Sequence, residues 1–123
     1  MELILWRHAE AEDGVPDAAR ELTEKGLDQA KRMSAWLKLR LPENTLIIAS
    51  PTRRTQQTAM ALTSDFATKK EVAPGASVNS ILTAVNWPNE QGAVVVVGHQ
   101  PTLGEVASCL IPILPPGLSV KKG

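Results

Sequence analysis

The hydrophobic positions of this 123-residue chain form short continuous runs that are separated by stretches with helical spacing. Residues 3–6, 46–49 and 93–97 are apolar at every position, which is typical of strands buried on both faces of a sheet. Strands that alternate with helices are typical of a parallel sheet covered on both sides. The pattern therefore predicts an α/β fold, a three-layer sandwich around a mostly parallel central sheet.

The stretches after the first and second runs predict two amphipathic helices. The first begins after Thr23, a favourable N-cap residue, and is ended by Pro42. The second begins at Ser50 and Pro51, which are predicted to be the N-cap and the first helical residue, and extends to about Leu62. The apolar face of the first helix is predicted to hold Leu27, Ala30, Ser34, Leu37 and Leu41.

The second half of the chain predicts shorter elements. Val72 and its neighbours predict a short edge strand, and a helix that ends near Trp87 follows it. Thr102 is a candidate cap for a last helix that Pro112 ends, and residues 119–120 would begin one more strand. The apolar positions of the helix that ends near Trp87 are Val78, Ile81, Leu82 and Val85.

Composition narrows the classes of function. The 13 basic and 13 acidic residues cancel, which argues against a broad surface for nucleic acid or an anionic membrane. The single cysteine, Cys109, excludes an intrachain disulfide, and its apolar surroundings predict a buried packing role. The apolar run that ends at Arg7 is too short for a signal peptide or a membrane span. We expect one domain over residues 1–123 in a cytoplasmic protein.

Polar residues of unusual chemistry follow each of the three apolar runs. Arg7 and His8 follow the first, Ser50 and the pair at 53–54 follow the second, and His99 follows the third. In parallel sheets these strand ends meet at one edge, where ligands bind. Arginine forks match phosphate oxygens, and a histidine among them can take up a phosphoryl group as a nucleophile. Arginines repel metal cations, so the residues predict phosphoryl transfer without a metal.

Four segments, in the same order as in the family, resemble the histidine phosphatase superfamily, whose fold is phosphoglycerate mutase-like. Residues 5–9 resemble its N-terminal Arg-His-Gly signature, with Ala9 in place of glycine, and residues 22–26 resemble its Leu-Thr-x-x-Gly helix opening. Residues 50–58 resemble its Ser-x-x-x-Arg-x-x-x-Thr segment, and residues 97–99 resemble its second histidine motif. The compact form of the chain is most similar to SixA-type phosphohistidine phosphatases.

The resemblance implies a role for each matching residue. His8 would be the nucleophile, phosphorylated transiently, and Arg7 and Arg54 would clamp the phosphate oxygens. His99 would complete the pocket and stabilise developing charge, and Ser50 is counted with the substrate-binding residues. The implied enzyme needs no cofactor and acts on a phosphorylated protein that carries phosphohistidine.

The chain departs from the family pattern in two places. Larger members supply a carboxylate general acid after the second helix, and this region has none beyond Glu71, although Glu10 or Glu12 in the loop after His8 could serve. Family members also continue with further strands beyond the point where this chain ends at Gly123, so we expect C-terminal strands to be missing. A phosphorylated imidazole can leave without a general acid, which favours N-phosphoryl substrates.

Two other functions remain open from the sequence. A broad phosphomonoesterase of the same superfamily would use one of the two loop glutamates as its acid. A non-catalytic module would bind phosphate in the same pocket for regulation and would not turn it over. The short loops, which form no lid over the strand ends, favour a phosphate displayed on a protein over an enclosed metabolite.

Overall fold

The computed structural model describes residues 2–87, 89 and 92–110. Residues 109 and 110 are described by their backbone alone. Two short 3₁₀ turns, at Asp17–Ala19 and Lys70–Val72, lie between the regular elements. These elements are β1 (Glu2–Arg7), α1 (Glu24–Lys38), β2 (Leu46–Ala49), α2 (Arg53–Leu62), β3 (Ala67–Thr68), α3 (Val78–Ala84), β4 (Ala93–Gly98) and α4 (Thr102–Leu110).

The described strands form one parallel sheet in the order β1-β4-β2-β3. The strand at its centre, β4, is buried at every position, as its unbroken apolar run predicts. Arg7 lies opposite Gly98 on the neighbouring strand, and Ala49 lies opposite Val97. The three apolar runs therefore end level with one another, which places the residues that follow them at one edge of the sheet.

Helices cover both faces of the sheet. On one face, Val95 and Val97 pack in a cluster with Leu37 of α1 and Ala59 of α2. On the other face, the intervening valines of β4 pack with side chains of α3 and α4 such as Ile81. This alternation across the strand confirms the predicted three-layer α/β architecture. Within the described residues, no helix has both the length and the apolar character needed to cross a bilayer.

The edge of the sheet differs from the prediction. Val72 is not in a strand but in a 3₁₀ turn, where its N–H donates to the Lys69 carbonyl. Its side chain is only 1% exposed and packs in the core beneath α3, so burial and not strand pairing holds it. The edge strand is β3, a few residues earlier, where Ala67 and Thr68 pair with β2. On α1, the predicted core residue Leu27 is 48% exposed.

The helices lie where the sequence predicts them, but several of their ends differ, and α3 ends at Ala84 and not near Trp87. The N-cap of α2 is Thr52 and not Ser50, whose N–H continues the sheet by donating to the Val97 carbonyl. Thr102 is the first residue of α4, and its hydroxyl donates to the Ala76 carbonyl. Helix α1 ends at Lys38, before Pro42 is reached. The predicted roles of the Cys109 side chain, Pro112 and residues 119–120 lie outside the described residues.

The start of α1 is built as predicted and holds the loop that follows β1. The Thr23 hydroxyl accepts the Gly26 N–H at 2.9 Å, which caps the helix. The Thr23 N–H donates to the Glu10 carbonyl at 3.1 Å, so the cap also ties down the segment two residues after His8. Gly26 is buried against this segment, and a Cβ at its position would overlap the Glu10 carbonyl oxygen.

Replacing Gly26 by alanine is expected to destabilise the fold by about 3 kcal/mol, because the new methyl group meets rigid backbone. A urea denaturation curve measures the loss. Gly104→Ala is the matched control, since its Cβ meets only the flexible end of the Gln100 side chain, and its stability should stay within about 1 kcal/mol of the wild type. Equal stability of the two variants would contradict the proposed close approach.

Candidate active site

The two histidines of the chain lie side by side at the edge of the sheet. His8 follows β1, and its N–H donates to the Gly98 carbonyl at 3.1 Å, which extends the ladder between β1 and β4. His99 follows β4 directly. The centres of the two rings are 5.3 Å apart, and their planes are inclined at 57°. The sheet thus brings together the two residues that the sequence predicted to meet.

One hydrogen bond defines the tautomer of His8. Its Nδ1 lies 2.7 Å from the Ala9 carbonyl oxygen, which can only accept, so Nδ1 carries the hydrogen. In the neutral ring, Nε2 then holds the lone pair. The Ala9 N–H in turn donates to the Thr58 hydroxyl on α2 at 3.1 Å, and this anchors the turn to a helix. His8 is therefore an oriented imidazole whose Nε2 carries the lone pair.

The second arginine of the sequence motif is buried. Arg54, in the first turn of α2, is 4% exposed. Its Nη1 donates to the Asp17 carbonyl at 2.9 Å, and its Nη2 donates to the Asp17 carboxylate at 3.1 Å. Among the described residues its Nε has no hydrogen-bond partner. A buried guanidinium with an unused donor beside two histidines is suited to bind an anion.

Arg20 joins this cluster, although the sequence analysis did not select it. Its Nε donates to the Glu12 carbonyl at 2.6 Å, and its Nη1 donates to the Asp17 carboxylate at 2.9 Å. Arg20 lines the same cavity, of about 1160 Å³, as Arg7 and His8. The signal that could have found it is the spacing of Asp17 and Arg20, three residues apart in an otherwise acidic loop.

Ser50 lies behind the histidines. Its side chain is fully buried, and its hydroxyl is 2.8 Å from Nε2 of His99. This contact fixes the orientation of the His99 ring from the core side. The structure therefore places the Ser50 hydroxyl against another site residue, His99.

The remaining predicted residues occupy the rim. Arg7 is exposed at the end of β1 and lines the cavity. Glu10 also lines it, but its carboxylate accepts the Thr23 hydroxyl at 2.8 Å. Glu12 is exposed, and its described contacts are made by its backbone. Arg53 is exposed and pairs with Glu21 at 3.3 Å. Neither loop glutamate is hydrogen-bonded to a site histidine or arginine through its carboxylate in the described residues.

Burial and positive charge act on both histidines in the same direction. Burial lowers the pKa of His8, and the Arg54, Arg7 and Arg20 charges add to this effect, while the hydrogen bond to Ala9 opposes it. Burial, with the Arg54 charge and His8 next in weight, lowers the pKa of His99 to about 4. At pH 7 both rings are therefore predominantly neutral. The hydrogen bonds from Arg20 and Arg54 lower the pKa of the Asp17 carboxyl, which stays ionised.

The described residues do not form a metal site. They contain no group of three or more His, Cys, Asp or Glu side chains arranged to hold an ion. The arginine charges that act on the two histidines, those of Arg54, Arg7 and Arg20, favour an anion.

Comparison with known proteins places the chain in a family. The model of the histidine phosphatase superfamily, branch 1, matches residues 3–77. The chain belongs to the histidine phosphatase superfamily. Phosphohistidine phosphatase SixA of Escherichia coli is 28% identical over 121 residues, which cover 91% of this chain and 75% of that protein.

Solved structures of this superfamily have the same fold. A structure of the protein histidine phosphatase SixA complexed with tungstate matches with a TM-score of 0.78 and 27% identity, over 88% of this chain and 75% of that one. A protein of Nakamurella multipartitia that carries the SixA name matches with a TM-score of 0.77 and 31% identity, over 94% of this chain and 72% of that one. The predicted family and its fold are thus confirmed.

Proposed function

We propose that this histidine phosphatase hydrolyses phosphohistidine on a protein partner, through a phosphoryl group held transiently on His8. The observation that carries the proposal is the state of the His8 ring. Nδ1 is bound to the Ala9 carbonyl, Nε2 keeps its lone pair, and the buried Arg54 lies close enough to lower the pKa of the ring. A neutral, oriented imidazole beside a buried cation is a suitable nucleophile for a phosphoryl group.

In the first step, His8 Nε2 attacks phosphorus as the N–P bond of the substrate phosphohistidine breaks. The substrate imidazole, protonated on its far nitrogen, leaves as a neutral group and needs no further proton. The phosphoryl group is then bound to His8. Arg54 and Arg7 donate to its oxygens, because guanidinium groups match the charge and spacing of phosphate.

In the second step, water attacks phosphorus and the bond to His8 Nε2 breaks. The electron pair of the broken bond returns to Nε2, one water proton stays on the new P–OH group, the other passes to solvent, and inorganic phosphate leaves with His8 neutral again. His99, oriented by Ser50, lies beside His8 and can donate a hydrogen bond to a phosphoryl oxygen as negative charge develops.

Two features support phosphohistidine over a phosphate ester. An alkoxide leaving group needs a general acid. The carboxylate of Glu10 is bound to the cap of α1, and the described contacts of Glu12 come from its backbone. Two of the three segments that join strands to helices at the site, residues 50–52 and 99–101, are also short, which suits a phosphate presented by another protein.

A substrate panel tests the proposal. The protein is incubated without metal with a phosphohistidine-bearing protein, with phosphoserine and with a sugar phosphate, and phosphate release is measured. We expect the phosphohistidine protein to be hydrolysed fastest. Equal or faster release from either ester would favour the broad phosphomonoesterase, and phosphate binding without release from any substrate would favour a non-catalytic binding module.

The pH dependence of His8 follows from its lowered pKa. Because the chain holds only two histidines, an NMR titration resolves both rings, and we expect both midpoints below the ordinary value of 6.5, with that of His99 about 4. The nucleophile must be neutral, so kcat/KM should rise with pH through the His8 midpoint. The fold should lose stability as pH falls from 6.5 through these midpoints, because the unfolded chain binds more protons there.

A variant provides the control for this titration. Arg20→Gln removes one of the charges that lower the pKa of His8, so its midpoint should move upward, toward 6.5. A His8 midpoint at or above 6.5 in the wild type would show that burial and arginines do not set its protonation.

A further inference from the structure

A single carboxylate joins two arginines of the active site. Asp17 Oδ1 accepts Arg20 Nη1 at 2.9 Å, and Asp17 Oδ2 accepts Arg54 Nη2 at 3.1 Å. The backbone carbonyl of Asp17 accepts Arg54 Nη1 at 2.9 Å. The sequence places Asp17 in a surface loop, and its carboxylate is 58% exposed, yet it contacts a guanidinium that is 5% exposed.

The bonds of Arg54 show which donors remain for a ligand. A guanidinium has five N–H donors in one plane. Asp17 takes one from each terminal nitrogen, along the outer edge of the fork. The N–H of the buried Nε, which has no partner among the described residues, and the second N–H of each terminal nitrogen remain as donors for a ligand. Because one of the two Asp17 acceptors is a backbone carbonyl, the outer edge is held by a group that cannot swing away as a side chain can.

The loop that carries Asp17 is itself anchored on both sides. The Glu12 N–H donates to the Glu21 carbonyl at 2.9 Å, which closes the loop at its base. A second bond within the loop comes from Arg20, whose Nε donates to the Glu12 carbonyl at 2.6 Å. Asp17 therefore meets Arg54 from a closed and braced loop, as a positioning group requires.

We propose that Asp17 is a positioning residue, which holds Arg54 and Arg20 in place so that their free donors meet a phosphoryl group at His8. This inference rests on the proposed function in one respect, which is that the group bound beside His8 is a phosphate. By holding the guanidinium groups before phosphate arrives, Asp17 removes the entropy cost of ordering two long side chains at binding. It also keeps the two positive groups together against their mutual repulsion.

The opposite role for Asp17 makes an opposite prediction. If its carboxylate were a competing anion, which phosphate must displace from the arginines, its removal would tighten phosphate binding. If it positions the arginines, its removal weakens binding, although the pocket then gains positive charge. The sign of the change therefore separates the two roles.

Binding of inorganic phosphate, measured by calorimetry, is the test. We expect Asp17→Ala to bind phosphate about tenfold more weakly than the wild type, because misplaced donors cost about this much or more. Asp17→Asn keeps the side-chain volume and one acceptor, so its affinity should lie between the two. Glu21→Ala is the matched control: it removes the same charge from the same loop and frees Arg53, the neighbour of Arg54, and its affinity should change less than twofold.

A spectroscopic signal tests positioning directly. The ¹⁵N–¹H resonance of Arg54 Nε should be sharp in the wild type and should shift when phosphate is added. It should broaden in Asp17→Ala, and circular dichroism should show that both proteins are folded. With a phosphohistidine-bearing protein as substrate, the same variant should raise KM more than it lowers kcat.

Each contrary outcome overturns the proposal. Unchanged or tighter phosphate binding by Asp17→Ala and Asp17→Asn would show that the carboxylate does not position the arginines. Absence of phosphate binding by the wild type would remove the pocket that the proposal assigns. Failure of the proposed function is separate, since a wild type that binds phosphate but releases none from phosphohistidine still reports the effect of Asp17 by calorimetry.

Discussion

Replacing His8 by alanine is expected to lower phosphatase activity by at least about 10⁴-fold, because no other described group combines a free lone pair with this position. The loss should appear in kcat, since the arginines that we propose to bind phosphate stay in place. The measurement is phosphate release from a phosphohistidine-bearing protein under saturating conditions.

The same variant also reports the intermediate. Rapid quenching of the wild type in alkaline detergent during turnover should preserve a phosphoryl group on this protein that is stable in alkali and is lost on later exposure to acid, as expected for phosphohistidine on His8. His8→Ala should not become labelled. If His8→Ala retains the wild-type rate, or if the label lies elsewhere, the covalent mechanism is wrong. The neighbouring ring, His99, stays intact in this variant and serves as an internal reference by NMR.

The second large effect is expected at Arg54. Arg54→Ala should lower kcat/KM by about 10³-fold, because it removes a buried cation that would offset charge developing on the phosphoryl oxygens. Arg54→Lys should recover little of this loss, since an ammonium group cannot bind Asp17 by two bonds and still offer a planar donor edge to phosphate. Steady-state kinetics with the same substrate measures both variants.

The adjacent arginine is the matched control. Arg53 lies one position earlier on α2, is exposed, and pairs with Glu21 at the surface. Surface pairs of this kind contribute little to stability, so Arg53→Ala should change kcat/KM less than threefold and leave the fold intact. Comparable losses in the two alanine variants would contradict the assignment of Arg54 to the pocket and would indicate a general electrostatic effect of α2.

Some features of the fold followed directly from local patterns. The runs at 3–6, 46–49 and 93–97 correspond to β1, β2 and β4, because a strand buried on both faces needs apolar side chains at every position. Thr23 caps α1 as predicted, since this capping bond spans only three residues. The caps at Ser50 and Thr102 were predicted wrongly, because both hydroxyls are engaged by residues far away in sequence, His99 and Ala76.

The residues of the candidate site also fall into those that the sequence predicted and those that it missed. Arg7, His8 and His99 were selected from the sequence because each ends or directly follows a strand, and Arg54 was chosen over its neighbour Arg53 by the resemblance to the family segment. Asp17 and Arg20 were missed, although they contact the buried guanidinium or line the cavity. Their loop has no hydrophobic period, and its position depends on contacts with Glu21 and α2 that no local pattern records.

The sequence by itself determined the parallel α/β architecture, the family, and the meeting of two histidines at one sheet edge, because strand patterns and motif order are local properties of the chain. Only the tertiary structure decided the chemical state of the site. The Ala9 carbonyl selects the tautomer of His8, and burial beside Arg54 lowers the pKa of both rings. Burial and charge depend on groups that are distant in sequence, so their effect exists only once the chain is folded.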